Sequence, residues 1–220
     1  GLWPSSGVDM AEPIGVAASS VAGFIDLGTN SVRLLLVRLN PSHSYTVLTD
    51  QKEMIRLGEG EFEDQMLRPE AMQRAVLVCR KFAELARAAG AREIVAVATS
   101  ATREARNQRE FLQLLHRDAG LDVRVISGRE EARLIYLGVS SGIHLNGQQA
   151  LFIDIGGGST EISLGNEHEY LYLDSLKLGA IRLTTQFLRD ESGPIGADRY
   201  AAVQQHVRHV AVHTMNHLRR

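Results

Sequence analysis

Cysteine is nearly absent. Cys79 stands alone in 220 residues, so no disulfide can close within the chain. A disulfide-stapled secreted scaffold is thereby excluded. Cys79 falls in a helical pattern and reads as a small core residue, and the expected setting is reducing and cytoplasmic. An excess of charge is also missing: Lys plus Arg number 24 against 26 Asp plus Glu, a net charge of −2. Nothing overall announces nucleic acid or a membrane surface as partner, and a polyanionic ligand would have to be held by local arginines. No Lys or Arg precedes Arg33, so the start lacks the basic leader of a signal peptide. No apolar run is long enough to span a membrane. Residues 1–20 are small, polar and Gly/Pro-bearing, and are expected to form a disordered leader.

What is present is a repeated, glycine-bearing turn. Phe152-Ile153-Asp154-Ile155-Gly156-Gly157-Gly158-Ser159-Thr160-Glu161 reads as a buried strand, a turn and the start of a second strand. Glycines without Cβ let a backbone approach a ligand closely and aim its N–H groups at it. Such a nest favours anions, phosphate above all. Phe24-Ile25-Asp26-Leu27-Gly28-Thr29-Asn30-Ser31 shows the same order 128 positions earlier. The repeat predicts two related domains, each with a strand–turn–strand hairpin, and a ligand gripped from both sides.

Between the hairpins the pattern alternates strands and helices. A proline-started helix from Pro69 places Met72, Val76, Cys79, Phe82, Ala83 and Ala86 on one face and ends at Gly90. Glu93 to Ala98 reads as a covered strand, and Thr99 to Glu104 as a loop at its ligand-binding end. Asn107 with Glu110, and Ser127 with Glu130, read as helix starts of capping-box type. The helix from Ala197 is expected to bury Val203, Val207, Val210 and Met215. The fold class is α/β. The first domain is expected over 21–143 as β-β-β-α-β-α-β-α. The second, over 144–220, repeats β-β-β-α-α and is expected to be truncated where two more strands are due.

Four segments in order carry a resemblance. They are Ile25 to Arg33, Ala96 to Ala105, Ile126 to Arg133 and Ile153 to Glu161. With these the chain resembles the Ppx/GppA phosphatase family of exopolyphosphatases and guanosine pentaphosphate phosphohydrolases. The resemblance implies duplicated actin-like (ribonuclease H-like) domains with mixed five-stranded sheets. It also implies hydrolysis of terminal phosphoanhydride bonds of polyphosphate, of guanosine pentaphosphate, or of both. Polyphosphate and guanosine penta- or tetraphosphate are the partners it implies, and a homodimer is expected.

Such cleavage needs grip on the phosphates, neutralised charge and an aligned water. Backbone N–H groups of Gly28, Thr29, Asn30 and Ser31, and of Gly156, Gly157, Gly158, Ser159 and Thr160, are the expected grip, with the hydroxyl and amide side chains adding donors. Arg33 and Arg103 are expected to pair with phosphate oxygens. Hydrated Mg²⁺, or Mn²⁺, is expected between Asp26, Asp154 and Glu161. For the base, Glu130 is occupied if it closes the capping box with Ser127, whereas Glu131 lies about 100° further round and is free to face the cleft. The resemblance also points to the second glutamate. Two other functions fit the same sequence class, an ATP-dependent small-molecule kinase and a non-catalytic alarmone-binding sensor. The Glu130-Glu131 pair, in place of an aspartate beside an acceptor, speaks against the kinase. Intact Glu131, Asp154 and Glu161 speak against the sensor.

Overall fold

In a computed structural model of the chain, residues 20–41, 44–189 and 193–219 are described. The leader expected over 1–20 lies outside them apart from Ser20. The strands β1 (Val21–Leu27), β2 (Ser31–Leu39) and β3 (Tyr45–Met54) pair antiparallel. Strands β4 (Ala91–Ala98) and β5 (Val123–Val125) join in parallel on the other side of β1. The order β3-β2-β1-β4-β5 makes a mixed five-stranded sheet with β1 at its centre.

After β3 comes a short helix, α1 (Glu61–Asp64). Helix α2 (Pro69–Ala88) begins on proline, whose missing N–H has no partner to lose at that position. It buries all six of the expected face residues against the sheet, with Cys79, Phe82, Ala83 and Ala86 fully enclosed. Gly90, at φ 80°, turns the chain out of the helix. Ile25, Leu27, Val32, Leu34, Phe82 and Phe111 belong to one core under this sheet.

After β4 the chain forms α3 (Ser100–Glu104), α4 (Gln108–Leu114) and a π turn over Leu115–Ala119. The expected cap at Asn107 is not made. Its side-chain amide instead donates to the Leu67 carbonyl and accepts from the Leu67 N–H, each at 3.0 Å, tying two segments 40 residues apart.

The second sheet is β6 (Ala150–Ile155), β7 (Thr160–Gly165) and β8 (Tyr170–Leu176), antiparallel in that order. Helices α6 (Ala180–Phe187) and α7 (Ala197–Leu218) follow. Val207 and Val210 of α7 pack on Ile162, Leu176 and Leu178. Met215, expected on the same stripe, is exposed, because the buried position of that turn is Thr214, whose hydroxyl donates to Asp174 at 2.5 Å. Helix α5 (Gly128–Ser140) precedes this sheet in sequence and falls within the expected 21–143 domain. Its buried side chains, Ala132 and Tyr136, nevertheless pack with Leu173 and Phe152 of the second sheet.

Both hairpins close over four-residue turns. Leu27 pairs with Val32 and Asp26 with Arg33 in the first. Ile155 pairs with Thr160 and Asp154 with Glu161 in the second. Gly28 N–H donates to the Ser31 carbonyl and Gly156 N–H to the Ser159 carbonyl, both at 2.9 Å. The sequence repeat is therefore also a repeat of register and turn hydrogen bonding.

Candidate active site

The two turns line one cleft of about 440 Å³. Asp26, Gly28, Thr29, Asn30, Ser31 and Arg33 line it from the first hairpin, and Asp154, Gly156, Gly157, Gly158, Ser159 and Glu161 from the second. Glu131 reaches it from the first turn of α5.

Three expected roles change on inspection. The Thr160 hydroxyl is buried and donates to the Leu178 carbonyl at 2.7 Å, so it does not line the cleft. The Gly28 and Gly156 N–H groups close their own turns and are not spare donors. None of Gly28, Gly156, Gly157 or Gly158 has positive φ; two of them are needed for close approach between protein segments. A Cβ on Gly157 would stand 3.1 Å from Thr29 Cβ, and one on Gly158 would stand 2.4 Å from Ser100 Oγ and 2.9 Å from the Phe62 ring. The second turn is thus pressed onto the first hairpin, α1 and α3.

Arg33 lines the rim but binds a carboxylate of its own. Its Nε and Nη2 donate to Asp50 at 2.8 and 2.5 Å. Asp50 lies opposite Leu35, two positions along β2, so this is a diagonal cross-strand pair. Both side chains are largely exposed. Such a solvent-screened pair is weak, so an incoming polyanion can take the guanidinium over at little cost. Lys52, opposite Arg33 in the ladder, also lines the cleft and was not singled out from the sequence.

Arg103 lies just behind the cleft wall, in an adjoining cavity of about 420 Å³. Its Nη1 donates to Glu131 Oε2 at 3.0 Å and to the Ile126 carbonyl at 2.9 Å. Its expected contact with phosphate is replaced, in this arrangement, by an acid. At the start of α5, Ser127 Oγ accepts from Glu130 N–H at 3.1 Å, so half of the capping box forms. The Glu130 carboxylate does not turn back to the cap. It pairs with Arg133, one turn along the helix, at 2.8 and 3.0 Å. Glu130 is occupied all the same, and Glu131 is the glutamate that faces the cleft.

The acids of the cleft raise one another's proton affinity. Burial pushes the Glu131 pKa up to about 7, the charge of Glu161 adds to this, and Arg103 opposes it. Burial also raises Glu161, while hydrogen bonds from Ser159 and Ser175 hold it down; the Ser175 bond is 2.8 Å. Asp26 opens on the cleft but is crowded by protein, and that loss of solvent raises it; Arg33 opposes, and Asp154 adds. Among the described residues no three His, Cys, Asp or Glu side chains stand close enough to hold a metal ion between them. That covers Asp26, Asp154 and Glu161. A strongly hydrated ion such as Mg²⁺ keeps several waters and needs only one or two direct carboxylates, so the donor set suits that ion and not a closed three-acid cage.

Two residues of this region carry no signal that set them apart in the sequence. Arg182 of α6 is 6% exposed. Its Nε donates to the Gly158 carbonyl at 2.6 Å, its Nη2 to Glu104 Oε1 at 2.5 Å, and its plane lies 4.2 Å over the Phe62 ring. Glu61 of α1 is fully buried, and neither carboxylate oxygen has a hydrogen-bond partner. Burial first, then the charge of Glu104, pushes its pKa up to about 7.

Comparison with known proteins follows the same lines. The model of the Ppx/GppA phosphatase family matches residues 36–220. Exopolyphosphatase 1 of Mycobacterium tuberculosis is 32% identical over 182 residues, which are 83% of this chain and 52% of that protein. The chain therefore spans about half the length of the curated relatives it matches. Among solved structures, an exopolyphosphatase from Cytophaga hutchinsonii is 29% identical with a TM-score of 0.86, over 91% of this chain and 63% of that one. The Aquifex aeolicus PPX-GPPA enzyme is 25% identical with a TM-score of 0.71, over 89% and 64% respectively.

Proposed function

The chain belongs to the Ppx/GppA phosphatase family and has its actin-like α/β fold, and from that premise we propose that it hydrolyses terminal phosphoanhydride bonds of inorganic polyphosphate, with guanosine pentaphosphate as a second substrate of the same cleft. The observation that carries this reading is Glu131, a carboxylate held between two turns of matching geometry with its pKa pushed up to about 7. A general base works best when its pKa lies near the working pH. Glu131 takes a proton from water as the water oxygen bonds to the terminal phosphorus. The bridging oxygen leaves with the shortened chain, and orthophosphate is the other product.

The remaining residues hold the substrate for that step. Backbone N–H groups around Thr29 to Ser31 and Gly157 to Ser159, with the Asn30 and Ser31 side chains, line the cleft where the terminal phosphates would sit. Arg33 and Lys52 bring positive charge to the rim. Arg103 holds the Glu131 carboxylate in place and stands next to the cleft as a further anion partner. A hydrated divalent cation, held directly by one or two of Asp26, Asp154 and Glu161 and through water by the rest, would neutralise charge on the phosphates and lower the repulsion among these acids. The test is phosphate release from long-chain polyphosphate and from guanosine pentaphosphate in parallel, with and without Mg²⁺. Release from neither substrate overturns the reading, and release from guanosine pentaphosphate alone removes polyphosphate from it.

A further inference from the structure

The side chain of Arg182, on α6, joins the second turn to α3 beside the cleft. Its backbone N–H donates to the Gly157 carbonyl at 3.1 Å and its Nε to the Gly158 carbonyl at 2.6 Å. The neighbouring N–H groups of Ala180 and Ile181 take the Gly156 and Gly157 carbonyls at 2.9 and 2.8 Å. The outward face of the second turn is thereby bonded to the first turn of α6, which leaves its inward face to line the cleft. The far end of the guanidinium crosses to the first sheet's side. Nη2 donates to Glu104 at 2.5 Å and lies 3.4 Å from Ser100 Oγ, both on α3. Glu104 is itself sequestered, and Lys177 approaches its other oxygen at 3.3 Å.

Helix α3 has two consecutive residues with opposite duties. Arg103 holds the Glu131 carboxylate, and Glu104 holds Arg182. A continuous path of hydrogen bonds and one short helix thus runs from Glu131 through Arg103, Glu104 and Arg182 to the Gly158 carbonyl. A lysine could not replace this link, because a planar guanidinium presents separate N–H groups to two acceptors in fixed directions.

We infer that Arg182 is a positioning residue for the proposed hydrolysis, setting the Gly156–Ser159 turn at its working distance from Glu131 by bridging the Gly158 carbonyl to Glu104. The inference rests on the function proposed above. Arg182 lies behind the turn, so its removal leaves the ligand-facing groups in place and loosens their alignment. Misplacement of reacting groups by about 1 Å can cost on the order of a hundredfold in rate.

The experiment compares the 220-residue chain with Arg182→Ala, using polyphosphate hydrolysis, thermal unfolding and added guanidinium. With the fold retained, kcat is expected to drop about a hundredfold while KM stays within about threefold. Millimolar guanidinium, filling the vacated space between Gly158 and Glu104, is expected to restore at least a tenth of the lost rate in a saturable way. An unchanged kcat in folded Arg182→Ala, a loss confined to KM, or a kcat loss that guanidinium leaves in place overturns the inference. If Arg182→Ala does not fold, Arg182→Lys replaces it. A kcat reduced at least tenfold then supports the role, and an unchanged one overturns it. If the parent chain releases no phosphate, the proposed hydrolysis falls, and the positioning role is read from amide hydrogen exchange. Faster exchange at Gly157, Gly158 and Ser159 in the variant, with β8 unaltered, supports it; equal exchange overturns it.

Discussion

Arg103 Nη1 lies 3.0 Å from Glu131 Oε2 and 2.9 Å from the Ile126 carbonyl, so one nitrogen fixes the acid against the end of the first sheet. Both bonds use the same nitrogen, and Arg103 also lines the cavity beside the cleft. The acid is held in position and remains basic.

Glu131→Gln is nearly isosteric and cannot accept a proton from water. Turnover of polyphosphate is expected to drop about 10²–10⁴-fold, with binding nearly intact. Equal activity in Glu131→Gln, with the loss appearing in Glu130→Gln, would reverse the assignment.

The pH profile follows from the protonation state that works. The base must be ionised, and its pKa stands at about 7. Rate is therefore expected to climb with pH through that value and level off above it. Arg103 lowers the Glu131 pKa, so Arg103→Met is expected to move the rising limb to higher pH. A limb that stays put, measured on kcat, contradicts the pairing.

Activity is expected to require a divalent cation, and Asp154→Asn to raise the concentration needed. The mutual repulsion of Asp26 and Asp154 motivates this. Titration with Mg²⁺ after chelator treatment measures it, and full activity in excess chelator removes the ion from the mechanism.

Glu61 offers a stability test away from the chemistry. Its folded pKa, about 7, lies above the ordinary 4.5. Between those values the folded chain binds more protons than the unfolded one, so stability falls as pH rises through this window and is flat above it. Glu61→Gln is expected to flatten the dependence and to raise the melting temperature at pH 8. Parallel pH dependence of stability for parent and variant from pH 5 to 8 would contradict a Glu61 pKa raised to about 7.

Two glycine substitutions separate space from propensity. Gly138 lies inside α5, and a Cβ there meets nothing within 4 Å. Gly138→Ala is expected to stabilise by about 0.5–1 kcal/mol. Gly158→Ala drives a methyl into Ser100 and Phe62 and is expected to lower both melting temperature and kcat. Equal melting temperatures for the two variants would place the second turn away from α3.

The turns were legible because each packs its chemistry into a short run: an acid, an apolar residue, a glycine and small polar residues in one order. Glu131 was legible because a helix start fixes which of two adjacent acids is occupied, although Glu130 is engaged by Arg133 and not by the cap. The partner of Arg33 was not legible, since Asp50 reaches it only through the β2–β3 register. Arg182 was missed because its partners, Glu104 and Gly158, lie 78 and 24 residues away. On a helix drawn as an amphipathic wheel it is an ordinary charge. Glu61 was missed for the opposite reason: an acidic loop composition gives no sign that one of its acids is enclosed.

The equivalent positions of the two hairpins differ in one respect. Opposite the aspartate of each stands Arg33 in the first and Glu161 in the second. Identical halves would have met as arginine against arginine or glutamate against glutamate. The actual pair gives the cleft an electrical asymmetry, with Arg33 and Lys52 on β2 and β3 of the first sheet and Glu161 and Glu131 on β7 and α5. A linear polyanion lying between them does not see the same field at its two ends. Exchanging Arg33 and Glu161 would preserve net charge, turn length and strand register while cancelling much of that difference, because Lys52 and Glu131 stay in place, so the two halves are alike in backbone and not interchangeable in use.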